Sequence, residues 1–503
     1  MNKWGMAWLG AFVVLMPLAP ARAADPVVYE TWDAAYLDGH RAGYFHTRVQ
    51  EVGKELHAHL TMNLSVRRFR DTASMRMESG TEETPDGKVV GVSMVQYLGK
   101  QQQMVLKGRL VGNQMVVKVE GQYQVERKIP WSDDVLGLYK QQRLFQERKV
   151  KPGDQLTYKS FEPTLNAIVT VRVQVKDEEE TEVFQEKKKL LRVEVTPEKI
   201  MLPGGSSIQL PAMHMWLNAQ REPLRSETQI PGLGKIVLYR ATRAVALAPI
   251  AVPSSMTDVG LTQSIRLNRR LARPHDTDAV VYRITLKDDD DPSTAFAQDD
   301  RQEVKNVRDK SFELHVRAVK APTMKGTEKA GAEFLQSNYF INCDDARVRM
   351  YAAQAVGDET DPWKKAQRIE KWVRQRMKVL NFTEAMATAD HVARTLEGDC
   401  SEFSMLTAAM CRAVGVPSRT AVGLVYAELS QGPTLAYHMW TEVFAHGQWL
   451  AIDSTLGQGH IGAAHIKIAD HSWHDTQSLV PMLPVMRVMM AKPAIEVLRV
   501  EGR

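Results

Sequence analysis

Cysteine is scarce in this chain, and its composition also lacks other features that would assign it to a specialised class. The 503 residues include three cysteines, Cys343, Cys400 and Cys411, which are too few for a disulfide scaffold. The 65 basic residues exceed the 60 acidic residues by only five. This small excess argues against a dedicated nucleic-acid-binding protein. No internal repeat or long low-complexity tract is visible, so a globular protein of two to four domains is expected.

One long apolar run is present, and it lies at the N-terminus. Residues 5–18 are almost wholly apolar, Lys3 precedes them, and Ala21-Arg22-Ala23 has the small-x-small form of a cleavage site. We therefore predict a signal peptide over residues 1–23, and an exported protein that is periplasmic or extracellular. The alternative is an uncleaved anchor, although the run is short for a membrane span. No further run is long enough to cross a bilayer, so no span is expected after cleavage.

Residues 24–250 are predicted to form a β-rich N-terminal domain. Apolar side chains occupy every second position from Leu56 to Val66, the period of a half-buried strand. Similar stretches recur as far as residue 218, separated by turn signals such as Pro85-Asp86-Gly87. These patterns predict a large, mostly antiparallel sheet, in a sandwich or an open, curved barrel.

A linker and a second β segment are predicted over residues 251–324, and a mixed helical domain over 325–503. Asp361-Pro362 has the form of an N-cap followed by proline at the first helical position. A second helix is expected from Asp399 or Cys400 to about Ala413, and three strands follow at about 418–427, 435–445 and 449–454. The predicted fold class is α+β.

Cys400 stands at the start of the second predicted helix. A helix N-terminus carries partial positive charge and free N–H groups, which favour a thiolate and could bind an oxyanion. The alternative is a buried core cysteine, a description that fits Cys411 better. Eleven helical residues separate these two thiols by roughly 16 Å, which is too far for a disulfide. A bond between Cys343 and Cys411 remains possible and would leave Cys400 free.

His438 and Asp453 are expected on neighbouring strands of a hairpin. If residues 445–448 form a four-residue loop, Phe444 pairs with Trp449, and His438 becomes a same-face diagonal neighbour of Asp453. A three-residue loop would place the two side chains on opposite faces of the sheet. A thiol, an imidazole and a carboxylate in this order are the parts of an activated sulfur nucleophile.

Four segments around these residues closely resemble the transglutaminase-like superfamily, in particular its bacterial secreted members. They are Gly398-Asp399-Cys400, Gly415–Arg419, His438–Val443 and Trp449–Asp453, within a similarity that spans roughly 360–470. The resemblance implies a papain-like core, in which a nucleophilic helix packs on an antiparallel sheet. By motif position it implies that Cys400 is the nucleophile, His438 the general base and acid, and Asp453 the orienting carboxylate.

Two further features accompany this resemblance. The segments Leu456-Gly457-Gln458 and Ala464-His465-Ile466 look like the tail of the bacterial secreted members. A second oxyanion donor cannot be placed from the sequence, and its weak candidates are Trp363, Trp372 and Tyr437.

Metal sites are the competing interpretation of two other clusters. His460, His465, His471 and His474 do not follow a zinc-ligand spacing and have no nearby cysteine partner. The run Asp288–Asp291 lacks the ligand spacing of a calcium loop and is more typical of an exposed loop. We therefore expect no metal and no cofactor.

The sequence thus predicts an exported, thiol-dependent acyl-transfer enzyme that acts on carboxamide or peptide bonds, as a protein-glutamine γ-glutamyltransferase does. A cysteine protease or amidase with the same three residues is one alternative. Another is a non-catalytic envelope-binding protein with a retired transglutaminase fold. The expected partner is a protein or peptide substrate, or a cell-envelope polymer, and no nucleic acid.

Overall fold

The computed structural model describes residues 25–501, except for 69–70, 98–102, 121–125, 202–206, 251–252, 254, 324–325, 327, 380–385 and 475–479. The predicted signal peptide lies outside these described residues. No helix in the described part of the chain is long and apolar enough to span a membrane.

The N-terminal region is dominated by one sheet of fifteen strands, which confirms the predicted large and mostly antiparallel β region. The strands of this region, in chain order, are β1 (Val27–Leu37), β2 (His40–Val52), β3 (Glu55–Arg68), β4 (Asp71–Glu83), β5 (Val89–Tyr97), β6 (Gln103–Val111), β7 (Gln114–Glu120), β8 (Glu126–Pro130), β9 (Val135–Leu136), β10 (Gln155–Glu162), β11 (Ala167–Val183), β12 (Glu186–Pro197), β13 (Ile200–Met201), β14 (Ser207–Ile208), β15 (Met213–Leu217), β16 (Pro223–Ile230) and β17 (Gly234–Ala241). The helices are α1 (Leu138–Arg148) and α2 (Arg243–Ala246).

The order of strands in the large sheet is β8-β7-β6-β5-β4-β3-β2-β1-β17-β16-β15-β12-β11-β10-β9, and β13 pairs with β14 in a separate sheet. The sheet curves back on itself, because Leu136 of its last strand forms an isolated bridge with Lys88 beside β5. Helix α1 starts at the same place. Glu83 of β4 accepts hydrogen bonds from the backbone N–H groups of Tyr139 and Lys140, at 2.9 and 3.1 Å. A carboxylate at a helix N-terminus pairs with N–H groups that have no acceptor within the helix.

In the rest of the chain, most strands are shorter, and helices occur among them. These elements are α3 (Val259–Thr262), β18 (Ile265–Arg266), β19 (Ala279–Leu286), β20 (Gln302–Arg308), β21 (Ser311–Arg317), α4 (Ala346–Val356), α5 (Pro362–Arg376), β22 (Lys378–Val379), α6 (Ala389–Thr395), β23 (Glu397–Gly398), α7 (Cys400–Ala413), β24 (Ser418–Leu429), β25 (Gly432–Ala445), β26 (Gln448–Ile452), β27 (His465–His471), α8 (Leu483–Met490) and β28 (Pro493–Glu501).

A central sheet of five strands carries the helices of this half. Its order is β18-β25-β24-β27, and β26 also pairs with β25. Helix α7 is buried along nearly its whole length and packs on β24 and β25, with α4, α5 and α6 around it. The Thr441 hydroxyl of β25 donates to the Ser404 carbonyl of α7 at 3.1 Å, which fixes the helix relative to the strand.

The predicted linker and second β segment are joined to this core by backbone pairing. Ile265 of β18 pairs with Leu435 of β25. Strand β19 pairs along its whole length with β28, in a second sheet of order β20-β21-β19-β28. Backbone pairing thus joins the linker to the core sheet, and the second β segment to the C-terminal strand β28.

A buried cluster of charges strengthens that junction. Lys467 of β27 is almost fully buried, and its ammonium lies 2.7 Å from an Asp299 oxygen and 2.9 Å from a Glu442 oxygen. Opposite charges on three sides raise the pKa of Lys467 despite the cost of burial. The ammonium therefore stays charged and links Asp299, which precedes β20, to the centre of the core sheet.

The acidic run is not simply the exposed loop that was expected. Asp289 is buried, and its two oxygens accept from the Arg487 guanidinium of α8 at 2.7 and 2.8 Å. Asp288 and Asp290 form ion pairs with Lys492 and Lys199. The expectation holds for Asp288, Asp290 and Asp291, which are exposed. It was wrong for Asp289, because Arg487 lies nearly 200 residues away and local spacing does not show such a partner.

Candidate active site

Cys400 is the first residue of α7, and the start of this helix is held on both sides. The Asp399 side chain accepts from the Ser401 N–H at 3.0 Å, and the Glu402 side chain accepts from the Asp399 N–H at 3.0 Å. This reciprocal pair is a capping box. Gly398 has a φ of +152°, and a Cβ there would lie 2.3 Å from the Cβ of Glu402. The glycine therefore permits the close approach that places Cys400 at the helix terminus.

The β25–β26 hairpin brings His438 and Asp453 together. Phe444 pairs with Trp449, which confirms the predicted register. The predicted loop length was wrong, because the strands continue to a closing pair of Ala445 and Gln448. The turn is His446-Gly447, with φ of 55° and 82°. Two positive φ values match the twist of a tight hairpin, and a two-residue loop keeps the same facing of side chains as a four-residue loop.

His438 interacts with both of the other two residues. Its Nε2 lies 2.8 Å from Asp453 Oδ2, and Cys400 is close enough to act on its charge. Because Nε2 contacts the carboxylate, Nδ1 is the ring nitrogen left for the thiol. Burial alone would lower the pKa of His438, but the charges of Asp453 and Cys400 outweigh it and hold this pKa well above its ordinary value.

Asp453 lies in a pocket built to keep it ionised. Its Oδ1 accepts from the Thr455 N–H at 2.9 Å, and its Oδ2 accepts from both His438 and His465. Burial acts to raise the pKa of Asp453, yet the two imidazoles keep it far below the ordinary value. The carboxylate is thus a fixed negative charge at the back of His438.

His465 is the second imidazole on Asp453 and was not predicted as a site residue. It is fully buried, its Nε2 is 3.0 Å from Asp453 Oδ2, and its ring packs edge-on against Trp440. Burial lowers the pKa of His465 to about 4. The neutral ring therefore donates its Nε2–H to Asp453 and orients the carboxylate without neutralising it.

Glu370 supports Asp453 from helix α5. Its Oε1 accepts from the Asp453 backbone N–H at 3.2 Å, and its carboxyl group also lies near the backbone at Gln458 and Gly459. Burial, together with the nearby Asp453 charge, raises the pKa of Glu370 to about 8. Glu370 therefore fixes the backbone on both sides of the segment that follows β26.

An open cavity of about 440 Å³ leads to the thiol, and Cys400 and His438 both line it. We call it the active-site cleft. Its opposite wall comes from the N-terminal sheet, including Arg68 at the end of β3. The positive charge of Arg68 interacts with Asp399, Cys400 and Glu402. The large sheet thus contributes directly to the surroundings of the thiol.

The three candidates for a second oxyanion donor are placed differently. Tyr437 lines the active-site cleft. Trp363 is buried in the core, and Trp372 packs against Tyr351 with ring centroids 4.7 Å apart. Of the three candidates, Tyr437 is therefore the one that borders the cleft.

Among the residues that the structure describes, two groups of side chains have the spacing of metal ligands. Nitrogen and oxygen atoms of His438, Asp453 and His465 lie within 4.8 Å of one another, but both imidazole Nε2 atoms already contact Asp453. On the large sheet, Glu55, His57 and Glu82 are similarly close, and Arg109 contacts both carboxylates. In both clusters, possible ligand atoms therefore already have partners within the protein.

All three cysteines are free thiols. The disulfide that was possible between Cys343 and Cys411 does not form. Burial raises the pKa of both of these thiols, which keeps them protonated and unreactive. Cys400 is the cysteine that borders the cleft.

Residues 349–454 match the family model of the transglutaminase-like superfamily. This segment contains Cys400, His438 and Asp453, the three residues that lie together in the structure. The C-terminal region has a transglutaminase-like core. No curated protein sequence matches the chain.

Solved structures with some likeness to the chain include two cysteine-dependent types. A candidate cysteine protease from Cytophaga hutchinsonii is 13% identical, with a TM-score of 0.30, over 45% of this chain and 85% of that chain. A transglutaminase is 15% identical, with a TM-score of 0.18, over 31% and 43%. A β-barrel-like protein of unknown function from Brucella abortus is 11% identical, with a TM-score of 0.32, over 42% and 95%. These scores are low, and the assignment of the transglutaminase-like core depends on the family match.

Three residues around the transglutaminase-like core were missed by the sequence interpretation. Glu370 had a visible signal, since a charged residue occupies the apolar stripe of α5 between Ala366 and Val373. His465 belonged to a segment noted only for its resemblance to the family tail. Arg68 had no signal, because its approach to Cys400 depends on how the large sheet packs against the core.

Proposed function

We propose that this protein is a thiol-dependent acyl-transfer enzyme that acts on carboxamide or peptide bonds. The observation that carries the proposal is the cluster of Cys400, His438 and Asp453, in which His438 is hydrogen-bonded to Asp453 and interacts with Cys400. Cys400 and His438 border an open cavity within a transglutaminase-like core.

In the first half-reaction, the Cys400 sulfur attacks the carbonyl carbon of the substrate. The imidazolium of His438, whose pKa is raised by its neighbours, gives its proton to the departing ammonia or amine as the C–N bond breaks. The product is a thioester on Cys400. The backbone N–H of Cys400 and the side chain of Tyr437 are our candidates for binding the oxyanion.

In the second half-reaction, an amine or a water molecule attacks the thioester, and His438 accepts its proton. Transfer to an amine makes the enzyme a transglutaminase, and transfer to water makes it a protease, amidase or deamidase. Asp453 orients His438 and stabilises its positive charge in both cases.

The remaining parts of the proposal concern partners and location. We propose a protein or peptide substrate, or a cell-envelope polymer, and an exported protein in the periplasm or outside the cell. The export proposal derives from the predicted signal peptide and can be tested by sequencing the N-terminus of the mature protein, which should begin at Ala24.

The decisive experiment is to measure the rate of Cys400 alkylation by iodoacetamide as a function of pH. An ordinary cysteine loses about a hundredfold in rate between pH 8.5 and pH 6. We expect the wild type to lose far less than this, and His438→Ala to behave as an ordinary thiol. A Cys343→Ala/Cys411→Ala double variant gives the same profile if Cys400 is the only thiol observed.

A substrate screen with amide donors and amine acceptors then separates the two outcomes of the thioester. Product that depends on added amine indicates transfer, and ammonia or peptide release without amine indicates hydrolysis. If alkylation is slow and follows an ordinary profile in the wild type, and Cys400→Ala retains its binding partners, the non-catalytic alternative is favoured instead.

A further inference from the structure

We propose that the acyl group transferred by Cys400 carries a long unbranched aliphatic chain, and that the active-site cleft binds this chain. The inference rests on the proposed function and names its substrate class. Its basis is the composition of the cleft walls.

The walls of the cleft are rich in methionine. Helix α8 contributes Met486, Met489 and Met490, and Met482 precedes it directly. The core adds Met386 and Met439, and the large sheet adds Met75 of β4. The methionine side chain is unbranched and flexible, and such surfaces adapt to apolar groups of varied shape. Met75 and Met486 remain 39% and 37% exposed, so apolar surface is available to a ligand within the cleft.

The cleft is continuous with the reacting groups. The same cavity is lined by Cys400 and His438, by residues of α8, and by Ile230, Pro231 and Leu233. Its volume of about 440 Å³ lies within the range of small-molecule sites. A group bound against α8 is therefore attached close to the carbonyl that Cys400 attacks.

The walls suit a hydrocarbon chain better than a peptide backbone. A peptide has one N–H and one C=O for each residue, and burial of these groups without partners costs free energy. Methionine sulfur is a weak acceptor and offers no donor. The charged residues of the lining, Arg68 and Asp399, lie beside Cys400, where the polar carbonyl and leaving group would be.

The reaction follows the steps already described. The Cys400 thiolate adds to the carbonyl carbon of a long-chain acyl amide or ester, and the C–N or C–O bond breaks. His438 protonates the leaving amine or alcohol, and the chain stays in the cleft as an acyl thioester. Water or an amine then releases the acyl group and returns its proton to His438, so no oxidant, reductant or cofactor is required.

The test is a series of p-nitrophenyl esters from acetate to dodecanoate, each used below its micelle concentration, with kcat/KM as the readout. Burial of one methylene should raise kcat/KM about three- to fourfold, until the cleft is filled. Met486→Gln and Met489→Gln should each lower the ratio of octanoate to acetate turnover at least tenfold. Met350→Gln is the matched control, because Met350 is 46% exposed on α4 and does not line the cleft. Its ratio should equal that of the wild type.

Two outcomes would overturn the inference. One is Cys400-dependent turnover that does not increase with chain length, and this leaves the proposed function standing. The other is a higher kcat/KM for a peptide amide with leucine beside the scissile bond than for the matched N-octanoyl amide, which would assign the cleft to a peptide. Turnover of acetate that persists in Cys400→Ala would instead contradict the proposed function itself. Mass spectrometry of the trapped octanoyl thioester on Cys400 gives an independent readout of the expected intermediate.

Discussion

The two ends of helix α7 carry the same functional group in opposite surroundings. Cys400, at the N-terminus, borders an open cleft and interacts with His438. Cys411, eleven residues further along, is completely buried, and burial raises its pKa. The comparison teaches that two thiols on one helix can differ in three respects: position at the helix terminus, a neighbouring imidazole and access to the cleft.

The largest effect is expected from removing each thiol in turn. Cys400→Ala should lower kcat by about 10⁴-fold or more, as loss of a nucleophile does in other hydrolytic triads. Cys411→Ala should retain the wild-type rate constants and lose stability, because it leaves a small cavity in the core. Turnover and urea denaturation of both variants test the prediction, and equal activity losses in the two would contradict it.

The next effect concerns the carboxylate that orients His438. Asp453→Asn should lower kcat by about 10³- to 10⁴-fold, because the amide cannot stabilise the imidazolium. Asp299→Asn is the matched control, since Asp299 pairs with Lys467 and does not contact the three reacting residues. It should affect stability but not kcat at a temperature where both variants are folded.

The same pair predicts a dependence of stability on pH. The raised pKa of His438 contributes stability that is complete below about pH 6.5 and is lost as pH rises through the raised value. The lowered pKa of Asp453 contributes stability above about pH 4 that is lost only as pH falls far below it. Asp453→Asn should therefore destabilise more at pH 5 than at pH 9. Equal destabilisation at both pH values would show that the two side chains do not form a charged pair.

A smaller effect is expected from His465. His465→Gln keeps a donor at the position of Nε2 and should lower kcat by about tenfold, the order of a weakened hydrogen bond to a charged group. Between about pH 6.5 and pH 4, the unfolded wild type binds a proton that folded His465 does not. As pH decreases through this range, wild-type stability should therefore decrease more steeply than the stability of His465→Gln. Parallel stability curves would contradict this assignment.

The smallest effect concerns the cap of α7. Asp399→Ala should cost about 1 kcal/mol of stability and also slow the alkylation of Cys400, because the helix terminus is less well fixed. Asp345 caps α4 in the same way, with its side chain accepting from Arg347 N and Val348 N. Asp345→Ala should cost a similar amount of stability and leave the alkylation rate unchanged. A slower rate in both variants would attribute the effect to general destabilisation.

Much of the core could be predicted because its signals are local. Asp361-Pro362 and Gly398-Asp399-Cys400 act within one helical turn, and the helices begin at those residues. The hairpin register followed from the facing of His438 and Asp453. The turn length did not follow, because strands can extend by one pair of residues at a time without changing that facing.

The rest depended on contacts between distant segments. Arg68 lies more than 300 residues from Cys400 in the sequence, and Asp289 pairs with Arg487, which is nearly 200 residues further along. Periodicity describes which face of an element is buried but not which element covers it. For the same reason, the composition of the cleft walls could not be seen before α8 and β4 were placed opposite each other.

The pairing of β19 with β28 has a consequence for how this protein can be divided. The segment that matches the family covers residues 349–454. Strand β19 precedes this segment, and both β27, which supplies His465, and β28 follow it. An excised fragment of residues 349–454 would lack the edge strand β27, which pairs with β24, and the second imidazole on Asp453. The family segment is therefore not a portable module here, and any chimera that moves this activity to another protein must carry at least residues 259–501.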